Sequence, residues 1–567
     1  GAKLALFGRV ERAGHDSVRL TASLVDAEAG TGIAEITVSD ARFDRLADSL
    51  TVRVLRELSR SRPIGAVRTA SLGTGSLPAL RAFLEGERHY RRSEWDSALI
   101  AYQRAIELDS TFSLALYRAG LTIGWQSMSG DSLSTLYLTR AAAHNHGLPP
   151  RDSMLIVAES LTAALDQGPD NANFWRFYRR LYATTAEASR RFPRDPEVWY
   201  EYGDVRFHWP AFSNKRVMRE AFNRSIALDS AFAPAFLHPV ELACQLGDVR
   251  GALEYVRGYL ELHPKDIYAD AMRLTGQLLD RRKARSAGVT ALLDTASNDL
   301  LLATIVNFDG WADSLETSVR LARLMSPQRA TLSHGDPHTF MLWMGSALAY
   351  HGHLREAWQR TADSISYVAA SVAWLGGVPA DTARIVFGRA LTGPLYPRNL
   401  DAIGAPWLAQ RRDTVSLNAV ERRADSLWRA SRAPIERAFA KYIADGARAL
   451  TALARGDTMT AIHGLLALAD TACSRCALYD IQLAQLLDAK KMDGEAGRLL
   501  MRDPPGHEYP TDGMWYLYRA RLAARQGNKD GAARGFRFVH DVWLDADPPL
   551  QVYVREARDA LKISSEN

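Results

Sequence analysis

DSALIAYQRAIELDSTFSLAL, Asp96 to Leu116, is written a second time, in altered letters, as VMREAFNRSIALDSAFAPAFL, Val217 to Leu237. Laid over one another, Ala98, Tyr102, Ala105, Leu108, Asp109 and Phe112 meet Met218, Phe222, Ser225, Leu228, Asp229 and Phe232. One spacing of small, bulky and capping residues survives a change of nearly everything between them. What repeats is a packing unit. A variant, Ala252/Val256/Tyr259, ends at Pro264, and weaker copies stand at Ala357/Thr361/Ser364, Ala461/Leu465/Leu468 and Ala532/Phe536/Val539. Gly247, Gly352, Gly456 and Gly527 each lie five residues before the alanine.

The spacing has a physical reading. A glycine takes the left-handed conformation that ends a first helix. A small residue then lets a second helix approach, and the bulky residue one turn later fills the groove between the two. A proline or aspartate closes the second helix. A helix pair of this kind cannot bury its apolar face alone, so it stacks on copies of itself.

Working outward, residues 1–60 differ from the rest. Val18, Leu20, Ala22 and Leu24 alternate, and the chain turns through Glu28 to Gly32 into Ile33 to Val38, which predicts a hairpin. From Ala41 the period becomes helical, with Phe43, Leu46, Ala47, Leu50, Val54, Leu55 and Leu58 on one stripe. Three strands and a helix make a small α+β piece that buries little by itself, so a missing N-terminal half or another domain is expected to complete it. Residues 61–76, rich in Gly, Ser and Pro, read as a linker in which Ser76 offers a helix N-cap. Helical repeats follow over 77–392 and again over 393–567. The chain opens without Met, and it reads as a fragment or processed product.

The 567 residues exceed one ordinary core. Charged residues are 24% and hydrophobic residues 47%, an ordinary folded composition. The 70 basic and 65 acidic residues leave a net charge of +5 spread along the chain, which argues against a nucleic-acid partner. No apolar run reaches the roughly 18 residues of a membrane span; the longest, Tyr367 to Ala380, carries Gly376, Gly377 and Pro379. Three cysteines exclude a disulfide-built scaffold.

The repeat residues resemble the tetratricopeptide repeat, a helix-turn-helix unit. The resemblance is strongest over Pro78–Phe112, Val217–Asp266, His338–Ser364 and Met514–Val539, and it covers most of Leu77–Leu561. It implies a mostly α chain, a right-handed superhelix of helix pairs forming an α-solenoid after the α+β piece. It also implies a concave groove for a protein or peptide ligand, lined by first-helix residues Glu87, Tyr90, Arg91, Glu241, Gln245 and Tyr350. LFGRVERAGHDSVRLTASLVDAEAGTGIAE, Leu6 to Glu35, looks like the latter half of the TolB-like module that precedes such arrays in bacterial adenylate cyclases, transcription regulators and serine/threonine kinases. That likeness implies the non-catalytic sensory or scaffolding region of a bacterial signalling protein, with an effector domain such as a kinase before Gly1. In kinase relatives of this layout a membrane helix separates the halves, which favours the extracytoplasmic face of the inner membrane over the cytoplasm.

No catalytic constellation stands in the chain. GxxxxGK[ST], GxGxxG after a strand, GxSxG and HExxH are all missing, and NFDGW at Asn307–Trp311 comes without a glycine-rich or catalytic loop. An enzyme is not expected, nor a cofactor. Cys473 and Cys476 (CSRC) read as a local disulfide or two reduced thiols, with no second ligand pair for zinc. His334, Asp336, His351 and His353 offer imidazoles and a carboxylate but read as a polar turn capping a helix, so no metal is assigned. Arg176, Arg179, Arg180, Arg190 and Arg191, and RRKAR at Arg281–Arg285, read as solvated faces rather than phosphate sites. Two alternatives remain beside the binding scaffold: a structural subunit stacking end to end between chains, and a redox or metal site borne on the solenoid.

Overall fold

The computed structural model describes residues 4–12, 18–26, 30–40, 50, 53–54, 73–127, 132–166, 174–209, 213–308, 310–312, 316–326, 337–361, 367–390, 400–432, 434–468, 477–501 and 510–565. Strands β1 (Leu4–Arg12), β2 (Val18–Asp26) and β3 (Thr31–Asp40) form an antiparallel sheet in the order β1-β2-β3. Leu20, Ala22 and Leu24 alternate inward on β2 with Ile36 and Val38 opposite on β3, and Leu50 and Val54 pack on that face. Gly30 takes φ +65° at the tight turn between β2 and β3. Phe43, Leu46, Ala47, Leu55 and Leu58, and most of the linker, lie outside the described residues.

Among the described residues 27 α-helices follow. They run as α1 (Leu77–Tyr90) and α2 (Trp95–Leu108), α3 (Ser113–Ser127) and α4 (Ser132–Ala143), α5 (Pro150–Asp166) and α6 (Phe174–Arg191), α7 (Pro196–His208) and α8 (Lys215–Leu228), α9 (Leu237–Gln245) and α10 (Val249–Glu261). Shorter elements α11 (Ile267–Leu279), α12 (Ala287–Thr295), α13 (Asn298–Ile305) and α14 (Thr317–Leu324) come next. The array continues as α15 (Pro337–Tyr350) and α16 (Leu354–Thr361), α17 (Tyr367–Trp374) and α18 (Ala380–Ala390), α19 (Leu400–Gln410) and α20 (Thr414–Ala430). It ends with α21 (Pro434–Ala454) and α22 (Thr458–Leu466), α23 (Ala477–Ala489) and α24 (Asp493–Leu500), α25 (Asp512–Arg525) and α26 (Lys529–Val542), and α27 (Gln551–Ser565). The chain is therefore a mostly α array of tetratricopeptide-like helix pairs behind a small sheet.

The local chemistry places these boundaries. Ser76 caps α1 by accepting from Ala79 N at 3.3 Å, and Pro78 sits in the first turn, where its missing N–H costs nothing. Asp248, Asp413, Asp457 and Asn528 cap second helices in the same way. Just before those caps, Gly247, Arg412, Gly456 and Gly527 stand at positive φ, and Gly352 does so ahead of α16.

In the first pair, Ala98, Tyr102 and Ala105 are all fully buried. Gly86 on α1 faces the Tyr102 ring so closely that a Cβ there would stand 2.4 Å from it. Burial of such a ring contributes roughly 1.5–3 kcal/mol. One apolar core runs from Ala79 to Ala557, with a smaller cluster under α5, α6 and α7 around Leu161, Tyr178, Leu181 and Val205.

Two long-range closures interrupt the simple progression. Ala233 N donates to Arg91 O at 2.9 Å, and the Arg91 guanidinium pairs with Asp229, so the turn after α1 rests on the segment entering α9. Far along the chain, Asp547 N donates to Gly352 O at 3.0 Å, Trp543 Nε1 donates to Tyr350 O at 3.0 Å, and Arg355 N donates to Asp547 Oδ2 at 2.9 Å. The turn after α15 thus rests on the segment leaving α26. No single helix among the described residues is long and apolar enough to cross a membrane.

Candidate functional site

The first closure brings α1, α3, α5 and α7 around one centre, and charged side chains fill it. Arg118 on α3 donates through Nε to Glu87 Oε1 at 2.7 Å, through Nη2 to Glu87 Oε2 at 2.9 Å, and through Nη2 to Glu197 Oε2 at 2.8 Å. Its guanidinium also lies 4.7 Å from the centre of the Tyr90 ring. Tyr102 donates to Glu87 Oε1 at 2.6 Å, and Arg151 on α5 reaches Glu197 Oε2 at 2.7 Å and Asp195 Oδ2 at 3.0 Å. Burial works to raise the Glu197 carboxyl, but the guanidiniums of Arg118 and Arg151 override it and hold the group down at about 2.

Deeper in the same centre lie carboxyls with no such partner. Burial, reinforced by the charge of Asp204, pushes Glu159 up to about 8. Burial and the neighbouring Glu159 push Glu201, 2% exposed, well above the usual carboxylate range. Glu201 Oε1 has no hydrogen-bond partner among the described residues. At the rim Asp204 on α7 meets two imidazoles, His208 one turn further on and His238 on α9.

The groove residues expected from the sequence take up the following positions. Tyr90 and Tyr350 are 1% and 2% exposed, and Tyr350 donates to Gly310 O at 2.9 Å. Glu87 is engaged by Arg118 and Tyr102, Arg91 by Asp229, and Glu241 accepts from Gln245 at 2.8 Å while 7% exposed. Glu87, Tyr90 and Arg91 lie at the first closure, Tyr350 lies at the second, and Glu241 and Gln245 pair within α9. Spacing within one helix carries no signal of either closure.

His351 is buried with Nε2 3.0 Å from Ser318 Oγ, and burial pushes its imidazole down to about 4. His353 Nε2 lies 2.7 Å from Glu316 Oε1. Both serve the packing around α14. His334, Asp336, Cys473 and Cys476 lie outside the described residues. The third cysteine, Cys244, is buried. Asn307 donates to Thr275 Oγ1 at 2.9 Å, a structural role. Arg281, Arg282, Lys283 and Arg285 form an exposed turn anchored by buried Ala284.

One open groove accompanies this closed centre. It holds about 370 Å³ between α5 and α6 and is lined by Ser153, Met154, Val157, Arg180, Ala183, Thr184, Glu187 and Arg191. Glu187 pairs with Arg190, while Arg191 Nη1 lies 3.9 Å from Met154 Sδ. Arg176 and Arg179 extend the exposed cationic face along α6.

No protein-family model matches the chain, and no curated protein does. Among solved structures the chain is similar to a thermophilic TPR protein of Thermus thermophilus, at 19% identity over 36% of this chain and 97% of that one, with a TM-score of 0.26. YrrB, described as a TPR protein with an unusual peptide-binding site, is 17% identical over 33% and 88%, with a TM-score of 0.18. The TPR domain of P58(IPK) is 14% identical over 74% and 100%, with a TM-score of 0.19. The helix pairing described above rests on this chain's own residues.

Proposed function

We propose that the chain is a non-catalytic binding scaffold, and that its ligand is an acidic, partly apolar protein segment lying along the groove between α5 and α6. The observation that carries this reading is the groove itself, where apolar Met154, Val157 and Ala183 line the same space as exposed Arg180 and Arg191. Guanidiniums beside apolar side chains supply both parts of peptide recognition, charge-assisted hydrogen bonds to carboxylates and burial of one aliphatic or aromatic side chain.

Within this reading the chain is the sensory or regulatory repeat region of a bacterial signalling protein of the serine/threonine kinase type, on the extracytoplasmic face of the inner membrane. What supports that context is the order of a small sheet before the helix pairs and the likeness of Leu6–Glu35 to the TolB-like module.

Fluorescence anisotropy with labelled peptides that alternate Glu with Leu, against peptides that alternate Lys with Leu, tests the groove. Binding of the acidic series, weakened at least tenfold by Arg180→Glu with Arg191→Glu and by added salt, supports the reading. Equal binding of both series, or an unaffected double variant, overturns it.

A further inference from the structure

Asp204, His208 and His238 stand apart from the groove and from the Arg118 centre's ion pairs, and their geometry is unusual for a merely polar cluster. Asp204 and His208 sit one turn apart on α7, and His238 comes from the first turn of α9, so three ligand-type side chains converge from two helices. His238 Nε2 lies 3.2 Å and His208 Nε2 3.7 Å from Asp204 Oδ1, and the three ligand atoms all lie within 4.8 Å of one another.

We propose that Asp204, His208 and His238 bind a divalent first-row transition ion, zinc foremost. Zinc bonds to nitrogen and oxygen of about 2.0–2.2 Å put tetrahedral ligand atoms about 3.3 Å apart, close to the 3.2 and 3.7 Å that separate Asp204 Oδ1 from the two imidazole nitrogens. His238 Nε2 is itself buried and lies within ion-pair distance of Asp204. Three ligand atoms brought within 4.8 Å of one another from two helices are what an ion between them requires.

The surroundings fit. Tyr200 donates to Asp204 Oδ1 at 3.1 Å, orienting the carboxylate from behind. The His238 ring stacks on Phe207 at 4.2 Å and on Trp125 at 5.4 Å, which fixes its plane. The His208 side chain is 50% exposed, giving an ion an entry path. Two imidazoles with one carboxylate select zinc, cobalt or nickel over magnesium and calcium, which take oxygen sets. Three protein ligands leave a fourth position for water. The bound ion would tie α7 to α9 beside the first closure.

The test uses the tag-free full chain with Cys473→Ser and Cys476→Ser, stripped by chelator, so that thiolates contribute nothing. Calorimetric titration with Zn²⁺ and absorption with Co²⁺ are expected to give one ion per chain and a cobalt spectrum free of thiolate charge transfer. His208→Ala, at a half-exposed position, is expected to weaken binding at least tenfold while the stripped variant unfolds as the parent does. Failure to bind a stoichiometric ion at micromolar Zn²⁺, or equal affinity in His208→Ala, overturns the proposal. Neither result bears on the peptide groove, whose residues lie elsewhere.

Discussion

Arg118→Ala removes the cation that neutralises two carboxylates at once. Arg118 is buried, with Glu87 and Glu197 held at 2.7 to 2.9 Å; its loss strands Glu87 and the face of Tyr90 and leaves Glu197 to Arg151 alone. Breaking a buried pair from one side costs about 3–5 kcal/mol, because an uncompensated charge stays behind. The depressed Glu197 carboxyl gives a consistent scale. A shift from 4.5 to about 2 corresponds to about 3 kcal/mol at neutral pH, present above pH 4.5 and lost as pH falls toward 2. The Arg118→Ala penalty should therefore shrink as pH is lowered through that window. A chain of stacked pairs opens in sections rather than in one step, so the assay is native-state hydrogen exchange read on peptides from α3 and α7. Adding Glu197→Gln should return part of the loss, giving a coupling of about 1–3 kcal/mol in the double-mutant cycle. A penalty under about 1 kcal/mol, or one independent of Glu197, would refute the closed centre.

Tyr102→Ala, at a fully buried ring over Gly86, should cost about 3–5 kcal/mol and loosen the neighbouring pairs; an unmoved melting curve would contradict the packing register. Glu201 is a carboxyl raised in the folded state, so its favourable protonation is fully present below pH 4.5 and fades as pH climbs toward and through the raised value. Glu201→Gln should flatten the loss of protection in α5 and α7 as pH rises above 4.5, as hydrogen exchange would record. Gly352 has φ +85°, and a Cβ there would lie 2.4 Å from that of Ala546. Gly352→Ala should cost about 1–3 kcal/mol from left-handed strain and overpacking, and should expose the Asp547 amide to exchange.

The helix pairs were legible because each is coded locally. Met218/Phe222/Ser225 and Ala252/Val256/Tyr259 are buried as their spacing predicts, and Gly247, Gly352, Gly456 and Gly527 all take the left-handed conformation expected of them. The same rule hid other pairs. Ser93, Arg412 and Lys491 stand at positive φ five residues before buried Ala98, Leu417 and Ala496, so a search keyed on glycine passes over α20 and α24. The binding residues fared differently. Tyr90 and Tyr350 make contacts with segments distant in sequence, as Tyr90 with Phe232 and Tyr350 with Gly310 illustrate, and no periodicity within a helix reports them. Asp204 and His208 carried a faint signal, a carboxylate and an imidazole one helical turn apart, but His238 joins them only through the fold.

The closure of the first helix pairs is tested most directly by a pulsed electron-electron distance measurement between spin labels at Arg92→Cys and Ala231→Cys. Both positions are exposed beside the Arg91–Ala233 contact; Cys473 and Cys476 are replaced by serine, and Cys244 is buried. A single narrow, short-distance population is the predicted result. A broad population at long distances would mean that the inward faces stay apart and leave the trough open.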